Sequence, residues 1–307
     1  MITSADLRKS PVLFDPVSHT YTLDGRQLNG VTSTLIHRAF PDKYKGIDEE
    51  TLAKAAEKGH ELHSAIEFHD HFEEPFKSED ERINNYDRIK QANNLHTICN
   101  EYLVSDEEHY ASSIDIVMAD GNNDIILVDI KTTYSLDRAS TGLQLSIYKR
   151  FFEAQNPGLK VARIYALWLP NRDHSIAEIH ELSVVDDETL DALIAADLAD
   201  EPFTFEQIPD EWADIERQYR YWSDRKEEAE QWLQKAKERM QSCLAEHNLS
   251  IVRTKDYTVS YIPAKTSKRF DSAMFKKEHK AMYDSYMKEV ETAAQIRVTP
   301  KKEKEEK

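Results

Sequence analysis

Cysteine is nearly absent. Cys99 and Cys243 alone make neither a disulfide framework nor a four-thiolate metal site. Seven glycines in 307 residues argue against a collagen-like, Gly-rich or many-turned all-β chain. Long apolar runs are missing as well. The longest aliphatic stretch, Ile125 to Val128, falls far short of the ~20 residues of a membrane span. Met1 to Ser10 holds no apolar segment of signal-peptide length. Basic charge is scarce: 40 Lys and Arg stand against 57 Asp and Glu, for a net charge of −17. Spread evenly, that balance would oppose a nucleic-acid partner. It is not even, because residues 251–307 hold 14 basic and 9 acidic side chains, whereas residues 1–199 hold 19 and 35. An acidic body with a basic C-terminal segment leaves room for a local phosphate-binding surface. Core-forming material is plentiful, at 40% hydrophobic and 9% aromatic, which excludes wholesale disorder. The expectation is a soluble, non-membrane protein of a reducing cytoplasm.

Pattern along the chain predicts a mixed α/β fold. Short strands at 12–14, 19–23 and 27–31 are punctuated by Asp-Pro and Asp24-Gly25. Thr32 stands as the cap of a short helix through Ala39, stopped before Pro41. Residues 49–72 read as a long helix whose apolar stripe is Leu52, Ala55, Ala56, Gly59, Leu62 and Ile66. Residues 80–98 read as a second, more polar helix. Strands are expected at 101–103, 111–119 and 124–133, a helix at 139–155, strands at 161–169 and 176–185, and a helix at 186–199. Residues 211–247 carry a heptad seam that includes Trp212, Ile215, Tyr219, Trp222, Leu233 and Met240. The seam suits a helix laid on the domain or in a helical hairpin, or else a dimerising coiled coil. A hairpin over 250–261, a basic loop, a helix over 272–291 and a charged tail complete the chain. Lys265, Lys268 and Arg269 of the loop are either backbone-phosphate contacts or a solvated charged turn.

The stretch Ser112 to Thr133 is the most informative. Both of its strands are rich in Ile, Val and Leu, yet each carries a carboxylate, Asp115 and Asp129, and Lys131 shares a face with Asp129. Such charges on buried strands cost several kcal/mol unless they are paired or bound to a metal. Register separates the alternatives. Asp115 opposite Asp129 requires Asp120 opposite Asp124, hence the three-residue loop Gly121-Asn122-Asn123, with Asn123 suited to a left-handed conformation. A two-residue loop would put the aspartates on opposite faces. Spacing alone leaves both a metal site and a simple Asp–Lys pair open. On the first long helix, His63 and Glu67 stack four residues apart, and Gly59 costs about 1 kcal/mol relative to alanine, which suggests a close approach there. Gln144 and Tyr148 are likewise four apart, flanking Leu143, Ile147 and Phe151.

In this order, GHELHSAIE at 59–67, SIDIV at 113–117, VDIKTT at 128–133 and QLSIY at 144–148 resemble the PD-(D/E)XK nuclease superfamily, in its RecB-type and phage-encoded exonuclease branch. Residues 60–155 carry the likeness. Ser113-Ile114 and Gly59-His60 depart from the Gly-Thr pairs common at those places; neither change removes a ligand. The resemblance implies a restriction-endonuclease-like core at 1–205, followed by the long helix at 206–249 and a basic extension at 250–307. It implies hydrolysis of linear double-stranded DNA with one or two Mg²⁺ or Mn²⁺ ions in a bacterial host cytoplasm. The iron–sulfur members of the branch need four cysteines, so no such cluster is expected. His63, Asp115, Asp129 and the Ile130 carbonyl would be metal ligands, and Glu67 and Glu101 supporting or extra ligands. Lys131 would orient the attacking water and offset phosphate charge, with Gln144 and Tyr148 positioning the phosphate or supporting Lys131. A single-strand annealing recombination protein is the partner implied by phage relatives, and a homo-oligomer is left open. An inactive nuclease fold and an endonuclease of the same superfamily are the competing implications.

Overall fold

In a computed structural model of the chain, residues 2–71, 77–263 and 270–288 are described. Short turns and alternating apolar positions fold the N-terminus into a meander of β1 (Leu13–Asp15), β2 (Thr20–Leu23) and β3 (Arg26–Gly30). A π-helical turn, Thr32–Ile36, runs into α1 (His37–Ala39). Val31, itself helical, precedes that turn without a side-chain cap. Thr32 is thus inside the helix and not its cap, because the backbone is already wound when the hydroxyl is reached. α2 (Glu49–Asp70) starts at Asp48, whose carboxylate accepts the Thr51 N–H, a cap worth about 1 kcal/mol. Only Leu62 and Ile66 of its predicted stripe are buried; Ala55 and Ala56 are exposed.

α3 (Glu81–Ala92) is shorter than its pattern suggested, and β4 (His96–Ser105) takes the residues beyond it. Asn94, at φ 51°, turns the chain out of the helix. β5 (Tyr110–Ala119), β6 (Ile125–Lys131), α4 (Arg138–Gln155), β7 (Val161–Trp168), β8 (Glu178–Leu182) and α5 (Asp187–Leu198) follow the expected order.

Strands β1 to β8 form one mixed sheet. β6 pairs parallel with β7 and β3 parallel with β5, the other neighbours being antiparallel. Helices cover both faces. Val117, Leu127, Ile164 and Ala166 pack with Leu143, Ile147 and Phe151 of α4 and Leu190 and Leu193 of α5. Ile116, Met118, Ile126, Val128 and Leu167 pack on the other face with Leu62 and Ile66 of α2 and Ile83 and Tyr86 of α3. Residues 116–118 of β5 and 125–128 of β6 alternate between the two cores, as a period of two requires, whereas Ile114 lies in the same core as Val117, so the alternation breaks at Asp115.

The edges of β5 explain where the site lies. Ala111 pairs with Ser105 of β4 and Gly30 of β3, whereas Ile116 pairs with Asn100 of β4 and Val128 of β6. One edge of β5 thus belongs to β4 throughout, and the other is shared between β3 and β6. Residues 112–115 face the fork where those two strands diverge.

The chain forms two compact units, Met1–Glu227 and Glu228–Lys307, with their boundary inside α6 (Trp212–Glu246). Trp212, Ile215, Tyr219, Trp222, Leu233 and Met240 of the heptad seam are all exposed, and Leu244 is the buried residue of this helix. The second unit holds a hairpin of β9 (Ile251–Arg253) and β10 (Thr258–Ser260), then α7 (Ser272–Glu278) and α8 (Lys280–Ser285). His279 leaves helical backbone at φ −131° and ψ 50°, breaking the single expected helix in two. Lys265, Lys268 and Arg269 lie outside the described residues. No described helix is long and apolar enough to cross a membrane.

Candidate metal centre

The β5–β6 hairpin adopts the register that brings the two aspartates together. Ala119 pairs with Ile125 and Ile116 with Val128, the last pair before Asp115 and Asp129, whose charges act on each other. The loop between Asp120 and Asp124 has three residues, the Asp120 N–H bonds the Asp124 carbonyl at 3.1 Å, and Asn123 sits at φ 70°. Beyond Val128 the backbone ladder ends as β6 follows β7. The freed Ile130 N–H donates to Asp115 Oδ2 at 2.7 Å, so a carboxylate takes the place of a strand partner.

His63 reaches the same point from α2. Its Nε2 is 3.2 Å from the Ile130 carbonyl, which can only accept, so Nε2 carries the proton. Burial lowers the His63 pKa, and the ring is neutral at pH 7. Its Nδ1 lone pair then faces Asp115 Oδ2 at 3.7 Å and Glu101 Oε1 at 4.0 Å. One ligand atom from each of His63, Glu101 and Asp115 lies within 4.8 Å of the others. Glu101 has φ 47°, a left-handed conformation costing about 1–3 kcal/mol in a strand, and its Oε2 accepts from Ser113 Oγ at 2.7 Å.

Three acceptors thus converge with no donor between them, an arrangement that asks for a proton or a cation. Burial first, and the Asp129 charge second, push the Asp115 carboxyl well above its usual range. Burial and then Asp115 raise Glu101 to about 7. Both shifts express burial first and the crowding of carboxylates second, with the Lys131 charge offsetting part of the Asp115 shift.

Beside this trio, Asp129 heads a chain of polar contacts on the α4 side. Its Oδ1 accepts from Gln144 Nε2 at 2.6 Å, and its Oδ2 lies 2.5 Å from Lys131 Nζ. That oxygen is buried and held by the lysine's charge. Lys131 also donates to Gln144 Oε1 at 3.2 Å. Gln144 Nε2 is 3.0 Å from Tyr148 OH, which accepts from Ser112 Oγ at 2.6 Å. Burial would lower the Lys131 pKa, but Asp129 and Asp115 more than offset it, and the ammonium stays charged. Burial raises the Tyr148 phenol, which stays neutral.

The structure therefore gathers His63, Asp115, Asp129, Ile130, Lys131, Gln144 and Tyr148 at one end of the sheet. Within that group Glu101 stands closer to His63 and Asp115 than its place as a supporting residue implied, while Asp129 is turned toward Lys131 and Gln144. Glu67 is outside the convergent trio, and its charge acts on Glu101 from a distance. Gly59 has its own explanation: a Cβ there would stand 3.3 Å from Thr132 Oγ1, just past the end of β6. The close approach is between helix and strand.

Sequence reasoning missed Lys43, which pairs with Asp137 Oδ2 at 3.3 Å and donates to Ser140 Oγ at the start of α4. Burial, and to a smaller degree Lys131, lower its pKa. A lone lysine in a Pro-Asp-Lys-Tyr turn carries no periodic signal. Ser112 and Ser113 were visible only as neighbours of Asp115.

The donor set fits a divalent cation. Carboxylate oxygens suit Mg²⁺ and Mn²⁺, and one imidazole favours Mn²⁺. No known protein-family pattern and no curated protein matches the chain. Among solved structures, the crystal structure of SSO0001 is similar over 58% of this chain and 78% of its own, at 16% identity and a TM-score of 0.34, a likeness too distant to carry an argument.

Proposed function

We propose that the protein is a metal-dependent deoxyribonuclease that hydrolyses phosphodiester bonds from the ends of linear duplex DNA. The observation that carries this reading is the convergence of His63, Glu101 and Asp115 beside the Asp129–Lys131–Gln144 chain. His63 and Asp115, with Glu101, Asp129 and the Ile130 carbonyl around them, would hold Mg²⁺ or Mn²⁺. Such an ion supplies charge neutralisation at the phosphate and makes water a better nucleophile at neutral pH.

The chain's own residues do the rest. Lys131, held cationic by Asp129 and Asp115, offsets charge on the scissile phosphate and orients the attacking water through its N–H groups. Its paired, charged state favours that role over proton abstraction. Gln144 bridges Asp129 and Lys131 and fixes both, and Tyr148 and Ser112 fix Gln144 in turn. Ser113 holds Glu101 toward His63. The acidic body is compatible with a polyanionic substrate if cations bridge its carboxylates to phosphates.

The test is digestion of linear duplexes labelled separately at each end, and of covalently closed circles, with Mg²⁺, Mn²⁺ or EDTA. The expected result is divalent-dependent loss of label from linear DNA, absent in Asp129→Ala and Lys131→Ala variants that remain folded. Cleavage of circles would assign an endonuclease. No cleavage of any DNA by the wild type, or unchanged activity in both variants, would reject the reading.

A further inference from the structure

Three aromatic and cationic side chains lie just past the candidate centre and take no part in it. β7 registers Trp168 beside Lys131, and the two chain segments leaving the sheet are tied together. The Leu169 N–H donates to the Lys131 carbonyl at 2.8 Å, and the Asn171 N–H to the Thr132 carbonyl at 3.1 Å. Trp168 Nε1 donates to the Thr133 carbonyl at 2.9 Å. On this braced platform Tyr134 is 77% exposed. The Arg172 guanidinium stands 4.7 Å from the Tyr134 ring centroid and 5.7 Å from that of Trp168. Its Nε donates to the Tyr134 carbonyl at 3.1 Å. Among the described residues the carboxylate whose charge it feels is that of Asp173, next to it in the chain, with which it forms no ion pair.

The ring and the guanidinium are both open to solvent and held in one place, so they present a flat face and a charge side by side. A nucleotide offers both complements at once, a π-face for the ring and a phosphate for the guanidinium. The position agrees. Tyr134 follows Lys131 by three residues, a span of at most about 10 Å, within reach of a nucleotide next to a phosphate at Lys131. A phosphate alone would need no exposed tyrosine.

The geometry points to Tyr134, supported by Arg172 and Trp168, as a stacking subsite for an unpaired nucleobase of the DNA strand being cut. This rests on the nuclease reading for the identity of the strand. A base must leave its duplex neighbours to lie on Tyr134, so the subsite selects frayed or single-stranded ends. Arg172 holds the ring and takes the adjoining backbone phosphate.

The experiment measures binding in EDTA at low salt, by fluorescence anisotropy, of linear DNA whose frayed terminal nucleotide is either normal or abasic. Wild type should bind the normal end about 5- to 150-fold more tightly than the abasic end. Tyr134→Ala should lose that difference, Tyr134→Phe should keep it, and Arg172→Ala should weaken both ends and flatten the salt dependence. Equal affinity of wild type for the two ends, or an undiminished difference in Tyr134→Ala, overturns the subsite. Because binding is read without metal, the two failures separate. A base-dependent protein that never cleaves DNA sinks the nuclease reading, and an active enzyme indifferent to Tyr134 sinks the subsite alone.

Discussion

Replacing Asp115 by asparagine should stabilise the metal-free protein while removing its response to metal. Asp115 is a carboxylate with a side chain 13% exposed, accepting one hydrogen bond, from the Ile130 N–H. It faces Asp129 and Glu101, and the Lys131 charge offsets only part of their repulsion and of its burial. Its pKa is raised, so the folded state holds a proton that the unfolded state releases. The associated stability is complete below the unfolded value of 3.8 and is lost as pH rises toward the folded one, at about 1.36 kcal/mol per pH unit. Asparagine keeps the oxygen that accepts from Ile130 and removes the charge. The expected gain near pH 7.5 in EDTA is about 0.5–2 kcal/mol, the usual return for relieving a functional site, at about 2–4 °C of Tm per kcal/mol. With Mn²⁺ the order reverses. An ion at 100 times its Kd adds about 2.7 kcal/mol to wild type and little to the variant. Thermal melts of both proteins with EDTA and with Mn²⁺ read all four states. An Asp115→Asn protein less stable than wild type in EDTA, yet shifted equally by Mn²⁺, would refute the reasoning.

Gln144→Leu removes the donor to Asp129 Oδ1 and the acceptor for Lys131, so it should cost about 1–3 kcal/mol in chemical denaturation and lower DNA hydrolysis about 10- to 100-fold. Glu101, raised to about 7, and Asp115, raised as well, should make metal binding proton-linked: Mn²⁺ affinity rises by at least about tenfold per pH unit below about pH 7, and a pH-independent Kd would contradict this. Asp70→Ala strips Lys90 of its ion pair at 2.6 Å, and Tyr86, Thr97 and Asn100 of their acceptor, and should cost about 3–5 kcal/mol in urea unfolding.

The hairpin was the most legible part of the site, because register there follows from integers. The parity of the Asp115–Asp129 spacing allows one loop length, and Asn123 can adopt the backbone that this loop needs. The α4 pair was legible for a similar reason, since four residues on a helix put Gln144 and Tyr148 on one face. Glu101 was harder. Its closeness to His63 depends on a left-handed residue within β4 and on the fork in the β5 edge, both products of how distant strands diverge. Lys43 arrives through a turn that packs on α4, and no local pattern marks such a contact. The α2 stripe and the α6 seam show the converse. Helical spacing predicts which residues share a face, but Ala55, Ala56 and Trp222 show that sharing a face does not bury it.

The proposed chemistry turns on one event, the capture of a divalent ion by side chains from α2, β4 and β5. An anomalous difference map from crystals grown with Mn²⁺ tests it most directly. The account predicts a peak within coordination distance of the His63 ring and the Asp115 carboxylate, lost in Asp115→Ala crystals. Clear Mn²⁺ peaks elsewhere, with His63, Glu101 and Asp115 left bare, would contradict it.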